Sequence, residues 1–285
     1  MPIVSTIALV RDAVEENRAV GAFSVGNMEM ILGAIRAAEE LHTPIILQIA
    51  EVRLKYSPLA LIGPAMTAAA REAKVPVAVH LDHGLTVGVV RQAMELGFSS
   101  VMFDGSRYPL AQNIALTRQI ADEAHSRGIG VEGELGVIGK GEDGSLEGKP
   151  EYTDPKIARD FQPATGVDLL AVAIGNAHGH YDAAPKIRLD ILEEIRRVVP
   201  VPLVLHGGSG ISPAGFRDCI CRGIRKINIA TATFDSLVQH SRDYLSGPGE
   251  RNYFSLNEAM TDGAYENVKR HILIFNNQVP LDEIE

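Results

Sequence analysis

The sequence predicts an α/β protein: a (β/α)8 TIM barrel with additional C-terminal helices, one domain over residues 1–285. Three observations predict it. Strand-like runs return at fairly even intervals, with a stretch of helical periodicity after each. Most runs are continuously apolar rather than alternating, the mark of strands buried on both faces of a parallel sheet. Eight such units fit between residues 21 and 230, and eight βα units close a barrel. The alternative, an open doubly wound sheet, would carry a Gly-rich nucleotide loop after the first strand, and none stands there.

In chain order the runs begin with GAFSV (21–25), TPIILQIA (43–50), VPVAVHL (75–81) and SSVMFD (99–104). They continue with GIGVEGEL (128–135), VDLLAVAIG (167–175), VPLVLHGG (201–208) and IRKINIA (224–230). Segments such as MEMILGAIRAAEELH (28–42) and DILEEIRRVV (190–199) carry apolar residues at helical spacing between them. Two long connections stand out. GVIGKGEDGSLEGKPEYTDP (136–155) follows the fifth strand and is rich in Gly and charge, the composition of a lid or binding loop. SLVQHSRDYLSGPGERNYFSLNEAM (236–260) breaks a helix at SGPG, so the tail after Ser236 reads as helices packed on the barrel.

With 46% hydrophobic residues in 285, the chain holds ample material for a large core. A formal charge of −9 and no Lys/Arg-rich run argue against nucleic acid or an anionic membrane as partner. The N-terminal MPIVSTIALVRDAVEEN lacks a basic region ahead of an apolar core, and no apolar run reaches the ~18 residues of a spanning helix. A soluble, cytoplasmic protein is expected. The two cysteines, Cys219 and Cys221, stand two apart in a helical stretch and point to different sides, which suits neither a disulfide nor a paired metal site.

Active sites of such barrels lie at the C-terminal ends of the strands. There the third strand offers His80, Asp82 and His83, the fourth Asp104, and the fifth Glu132 and Glu134. The loop GNAHGHY (175–181) after the sixth carries His178 and His180, the seventh ends at His206 and the eighth at Asn228. A lone histidine at a strand end is usually structural. Several imidazoles and carboxylates on one rim point to a metal, since three imidazoles with an open position are a ligand set of catalytic zinc. HGGSG and GNAHGH add unshielded backbone N–H groups, with Ser209, Thr231 and Thr233 as further donors, where such barrels bind phosphate. Together they fit a small phosphorylated ligand bearing an oxygen that a metal polarises.

HLDHG after an apolar strand, VEGELG with the loop that follows, AHG and LHGGSG in this order resemble the class II, metal-dependent fructose/tagatose-bisphosphate aldolases. The tagatose type is the nearer, because the eighth strand reads NIAT. The resemblance covers nearly the whole chain. It implies a homodimer or homotetramer acting on a small sugar phosphate, with His83, His178 and His206 as Zn2+ ligands and His80 as a supporting neighbour. Asp82 matches the residue exchanging a proton with the C4 oxygen as the C3–C4 bond breaks, and Glu142 the one handling the proton on the dihydroxyacetone phosphate carbon. Asp104 and Glu134 match carboxylates for a second or displaced metal. Gly179, Gly207, Gly208, Ser209, Asn228, Ile229, Ala230 and Thr231 match the phosphate cradle, where a monovalent cation (Na+ or K+) also sits in the family. The chemistry agrees: breaking a carbon–carbon bond beside a ketone leaves negative charge, and an ion held by neutral imidazoles keeps the charge to meet it. Lys226 is given no task by this reading.

Four positions depart from the family pattern. Ser24 stands where the first strand usually offers Asn, Lys140 where the loop has a small residue, and Ala50 where the second strand ends in a hydroxyl residue. Asp262 falls where relatives carry the arginine for the distal phosphate. A carboxylate cannot bind a phosphate and Ala cannot donate to one, so the aldehyde partner need not be phosphorylated. Ala50, Arg53, His180 and Asp262 are the acceptor-side candidates, with Glu51 beside them; His42, His125, His240 and His271 are expected at the surface. Two other functions compete. A non-catalytic partner subunit of such an aldolase would not need the three histidines, Asp82 and Glu142. A zinc hydrolase on this barrel would be expected to carry HxH on its first strand, which here has no His.

Overall fold

The computed structural model describes residues 3–138, 151–181, 185–249 and 251–278. Eight parallel strands close into a barrel in sequence order, the last returning to the first. They are β1 (Val20–Ser24), β2 (Ile45–Ala50), β3 (Val77–Gly84), β4 (Ser100–Phe103), β5 (Gly130–Leu135), β6 (Leu169–Val172), β7 (Leu203–Leu205) and β8 (Ile224–Ile229). Each overlaps the run expected for it, with ends displaced by a few residues.

The helices following the strands are α2 (Met28–Glu40), α3 (Leu59–Glu72), α4 (Val87–Glu95), α5 (Leu110–His125), α6 (Pro155–Thr165), α7 (Leu189–Val198), α8 (Pro213–Cys221) and α9 (Thr231–Ser246). Their ends are set by local chemistry. Asn27 caps α2 by accepting from the Met30 N–H at 2.9 Å. Asp154 caps α6 ahead of Pro155, and Gly166 ends it in the left-handed region at φ 75°. The expected break at SGPG separates α9 from α10 (Tyr253–Phe275), which packs on α2 and α9. Cys219 is buried and Cys221 exposed, both unpaired.

Strand residues alternate between two environments. Leu47, Val79, Leu81, Val131 and Ile227 join the core between sheet and helices. The intervening residues form a second set. At the N-terminal end Val20, Ala22, Ile46, Ala78, Leu169, Ala171 and Val204 pack with Leu9, Val10 and Ala13 of α1 (Thr6–Glu15), which plugs the barrel. Further along the same strands the alternate positions turn polar: Gln48, His80, Asp82, Glu132, Glu134, Lys226 and Asn228, all buried. The runs that look continuously apolar are therefore apolar outward throughout and inward only in the lower half.

One histidine corrects the sequence reading. His271 lies inside, beside the rings of Phe216 and Phe275, with Nδ1 2.8 Å from the Asn267 carbonyl oxygen. Burial lowers its pKa to about 4.

Candidate metal and proton-transfer site

His83 owes its placement to an irregularity at the end of β3. The β3–β4 register shifts between Leu81 and Gly84, and His83 takes a positive φ of 37°, uncommon for a residue with a Cβ. The bulge lets Asp82 and His83, adjacent in sequence, both serve the barrel mouth. His178 lies on the loop after β6, and His206 follows β7. These two loops are tied together. The Asn176 amide donates to the His206 carbonyl at 3.0 Å, and the Tyr181 hydroxyl donates to the Gly207 carbonyl at 2.9 Å while accepting from the Ala177 N–H at 2.8 Å. Gly207 is required there: at φ 61° a Cβ would lie 2.1 Å from the Ala177 carbonyl oxygen.

The three buried imidazoles meet. His83 Nε2 lies 2.7 Å from His206 Nδ1 and 3.2 Å from His178 Nε2. The outer nitrogens of two of them face carboxylates: His83 Nδ1 is 2.8 Å from Asp104 Oδ2, and His206 Nε2 is 2.7 Å from Glu132 Oε1. A carboxylate only accepts, so the protons sit on those outer nitrogens and the inner lone pairs face one another. That arrangement calls for a cation between them. A tetrahedral zinc with Zn–N bonds of about 2.0–2.1 Å spaces its nitrogens roughly 3.3–3.4 Å apart; the 3.2 Å separation is close to that and the 2.7 Å one is tighter. His83, Asp104 and Glu134 form a second group able to hold a metal.

The electrostatics favour positive charge at this point. Burial works against a charged His83, but Asp82 and the Asp104 hydrogen bond outweigh it and hold the imidazole well above its ordinary pKa. Burial opposes ionised Asp104 as well, yet the bond from His83 holds it below the usual carboxylate range. Burial, then repulsion from Asp104, pushes Glu134 well up. Burial and the neighbouring His83 keep His206 neutral, with its lone pair available.

Asp82 is held from both sides. Gln48 Nε2 donates to Oδ2 and Asn228 Nδ2 to Oδ1, each at 3.0 Å. Neither metal-capable group includes Asp82, whose nearer oxygen stands 3.9 Å from His83 Nε2. It is thus fixed beside the imidazoles with lone pairs to spare, the placing a proton carrier needs. Below lies Lys226 Nζ, 2.9 Å from Glu132 Oε2 and 2.7 Å from Asn228 Oδ1. Gln48 escaped the sequence reading, and Lys226 and Glu132 were seen there without a role. Their signal was polar residues two apart on β5 and β8, and a lone glutamine in the apolar β2.

A family model described as class II fructose-bisphosphate aldolase matches residues 4–279. The chain belongs to that family. A probable fructose-bisphosphate aldolase of Bacillus subtilis is 38% identical over 86% of this chain and 87% of its own length. The fructose-bisphosphate aldolase of Geobacillus stearothermophilus is 36% identical over the same shares. Among solved structures, the YdjI aldolase of Escherichia coli K12 superposes with a TM-score of 0.86 at 33% identity, over 96% of this chain and 97% of that one. The chain is accordingly a carbon–carbon lyase of the class II aldolase type.

Around the mouth of this class II aldolase the remaining candidates divide. Ser209 and Thr231 line a cavity of about 390 Å3 with His180, Tyr181 and Asp235 at the N-terminus of α9. One expected donor is already taken: the Gly208 N–H donates to the Asn228 carbonyl at 3.1 Å. Ser209 Oγ accepts from the Ala232 N–H at 3.0 Å and keeps its own O–H to donate. Ile229 packs its side chain in the outer core, leaving only its backbone to the mouth. Ala50 and Arg53 line a different cavity of about 290 Å3 with Ser24, Met30 and Phe234. His180 lies with the Ser209–Thr231 cavity and not with the Ala50 one, 3.6 Å from Asp235, Gly179 turning the loop between it and His178. Asp262 pairs with Arg36 of α2 at 2.9 Å beside Glu29 and Leu32, on the outer helical layer. Glu51 is already committed, accepting from the backbone N–H groups of Leu85 and Thr86 at 2.6 and 2.9 Å. Glu142 and Lys140 lie outside the described residues.

Proposed function

We propose that this class II aldolase uses Zn2+, held by His83, His178 and His206, to cleave a ketose 1-phosphate or ketose 1,6-bisphosphate reversibly to dihydroxyacetone phosphate and an aldehyde. The observation that carries the reading is the buried, mutually facing set of imidazole nitrogens with Asp82 fixed beside it. Bound Zn2+ would supply Lewis-acid stabilisation of the charge that develops on the hydroxyketone. Asp82 then takes the proton from the C4 hydroxyl in cleavage and returns it in condensation, steadied by the Gln48 and Asn228 amides. Ser209, Thr231 and the adjoining backbone bind the 1-phosphate at the start of α9, where the helix dipole favours an anion. Glu142 is assigned the proton on the donor carbon, on the strength of the family motif alone.

For the other half of the substrate we favour an unphosphorylated aldehyde. Supporting this, Ala50 offers no donor and Asp262 is engaged with Arg36; Arg53, whose guanidinium lies 5.3 Å from the Phe234 ring, is the group a phosphorylated aldehyde would have to recruit. Zinc-loaded protein should be incubated with dihydroxyacetone phosphate and a panel of free and phosphorylated aldehydes, and, in the cleavage direction, with fructose and tagatose 1,6-bisphosphates beside the corresponding ketose 1-phosphates. Consumption of free aldehydes, abolished by chelation and restored by zinc, is the expected result. Preference for a 1,6-bisphosphate over a ketose 1-phosphate overturns the acceptor assignment, and no turnover of any member overturns the activity.

A further inference from the structure

We infer that Lys226, through one buried ammonium group, sets the orientation of two side chains on which the proposed reaction depends, making it a positioning residue of the site. The inference rests on the aldolase reading above. Lys226 is fully buried in the barrel interior, one turn of the strand pleat below Asn228 on β8. Its Nζ stands 2.7 Å from Asn228 Oδ1 and 2.9 Å from Glu132 Oε2. An ammonium donates and never accepts. Lys226 therefore fixes which end of the Asn228 amide faces it, and that choice sends Nδ2 to Asp82 Oδ1, 3.0 Å away. With the amide reversed, its oxygen would face the Asp82 carboxylate and repel it.

The second branch runs through Glu132. One of its oxygens meets Lys226 and the other meets His206 Nε2 at 2.7 Å. Glu132 is buried, and so is His80 Nε2 at 3.7 Å from the same carboxylate oxygen. Held by Lys226, Glu132 keeps the His206 proton on Nε2 and its lone pair on Nδ1, toward His83. Burying an ion pair is costly, and the lower half of this interior shows that apolar side chains can fill the barrel. A lysine here is explained by what it orients, because charge balance alone would be served equally well by removing both charges.

That contrast is the test. Lys226→Met and the charge-free pair Lys226→Met/Glu132→Gln are compared with the unmutated protein in three measurements. These are zinc affinity by chelator competition with thermal midpoint, kcat and KM for cleavage, and exchange of the dihydroxyacetone phosphate proton with solvent deuterium. Lys226→Met should weaken zinc binding about 10–100-fold, as losing the support of a ligand does. In the double variant a Gln carbonyl can still accept from His206, so zinc affinity and midpoint should return close to their original values. Its cleavage kcat should stay about 10–100-fold low with KM little changed. Proton exchange, which does not use Asp82, should proceed at the original rate. Cleavage restored in the double variant would mean that Lys226 only balances charge, and the inference falls; an equal loss in exchange and cleavage defeats it too. If Lys226→Met does not fold, the double variant decides. Absence of turnover in the unmutated protein would strike the aldolase reading instead, while zinc affinity and midpoint still judge the Glu132–His206 branch.

Discussion

The lower and upper halves of the barrel interior are made by the same strands, only a few residues apart. Ala78 and His80 are neighbours on one face of β3, as are Ile46 and Gln48 on β2. Below, Ala78 and Ile46 meet Leu9 and Val10 of α1, where nothing carries charge. Above, Gln48 opens a network that runs through Asp82, Asn228, Lys226 and Glu132 to the three imidazoles, with His80 beside it on Ser100. The lower half gains stability from removing apolar surface from water. In the upper half the cost of burying charges is offset only because each side chain fixes the next. The barrel thus keeps stability and chemistry in adjacent layers, and each should be breakable without the other.

The sharpest break is expected at Asp82. Asp82→Asn keeps the shape but cannot take a proton, and should lower cleavage kcat about 10^2–10^4-fold while leaving zinc binding and thermal midpoint near their original values. Parallel loss of zinc would mean that Asp82 serves the metal. In the lower half the signs reverse. Leu169→Ala empties part of the apolar plug and should cost about 2–5 kcal/mol in denaturant unfolding, with kcat/KM unchanged. A comparable fall in kcat/KM would show the two layers to be mechanically coupled.

His271 gives the smallest effect and a control, being an imidazole buried among aromatic rings instead of within the network. Its folded pKa, lowered to about 4, lies below the ordinary 6.5. Between those values the unfolded chain takes up a proton that the folded chain refuses, so stability falls as pH drops from 6.5 toward 4. The loss is about 3 kcal/mol at most. Urea unfolding at several pH values should show this slope, and His271→Phe should flatten it. An unchanged slope in the variant would place the acid sensitivity elsewhere.

Much of this was legible in the sequence because a barrel turns order along the chain into position around a rim. His83, His178 and His206 follow strands, and strand ends of a closed parallel barrel converge, so three distant residues could be brought together on paper. Gln48 and Lys226 were not legible as site residues: each sits inside an apolar run, and its direction depends on an inward or outward parity that the run alone does not fix. The positions of His180 and Asp262 were not legible for a related reason. His180 belongs to an irregular loop with a left-handed glycine, and Asp262 to a long helix where a shift of one residue turns the side chain by about 100°. Glu51, grouped in sequence with the acceptor-side candidates, anchors the entry to α4.

X-ray absorption at the zinc edge, combined with anomalous diffraction from zinc-loaded crystals, tests the central claim most directly. The account predicts one ion bound by three imidazole nitrogens at about 2.0–2.1 Å, contributed by His83, His178 and His206. Zinc found only among His83, Asp104 and Glu134, or bound without His178 and His206 under conditions of turnover, would contradict it.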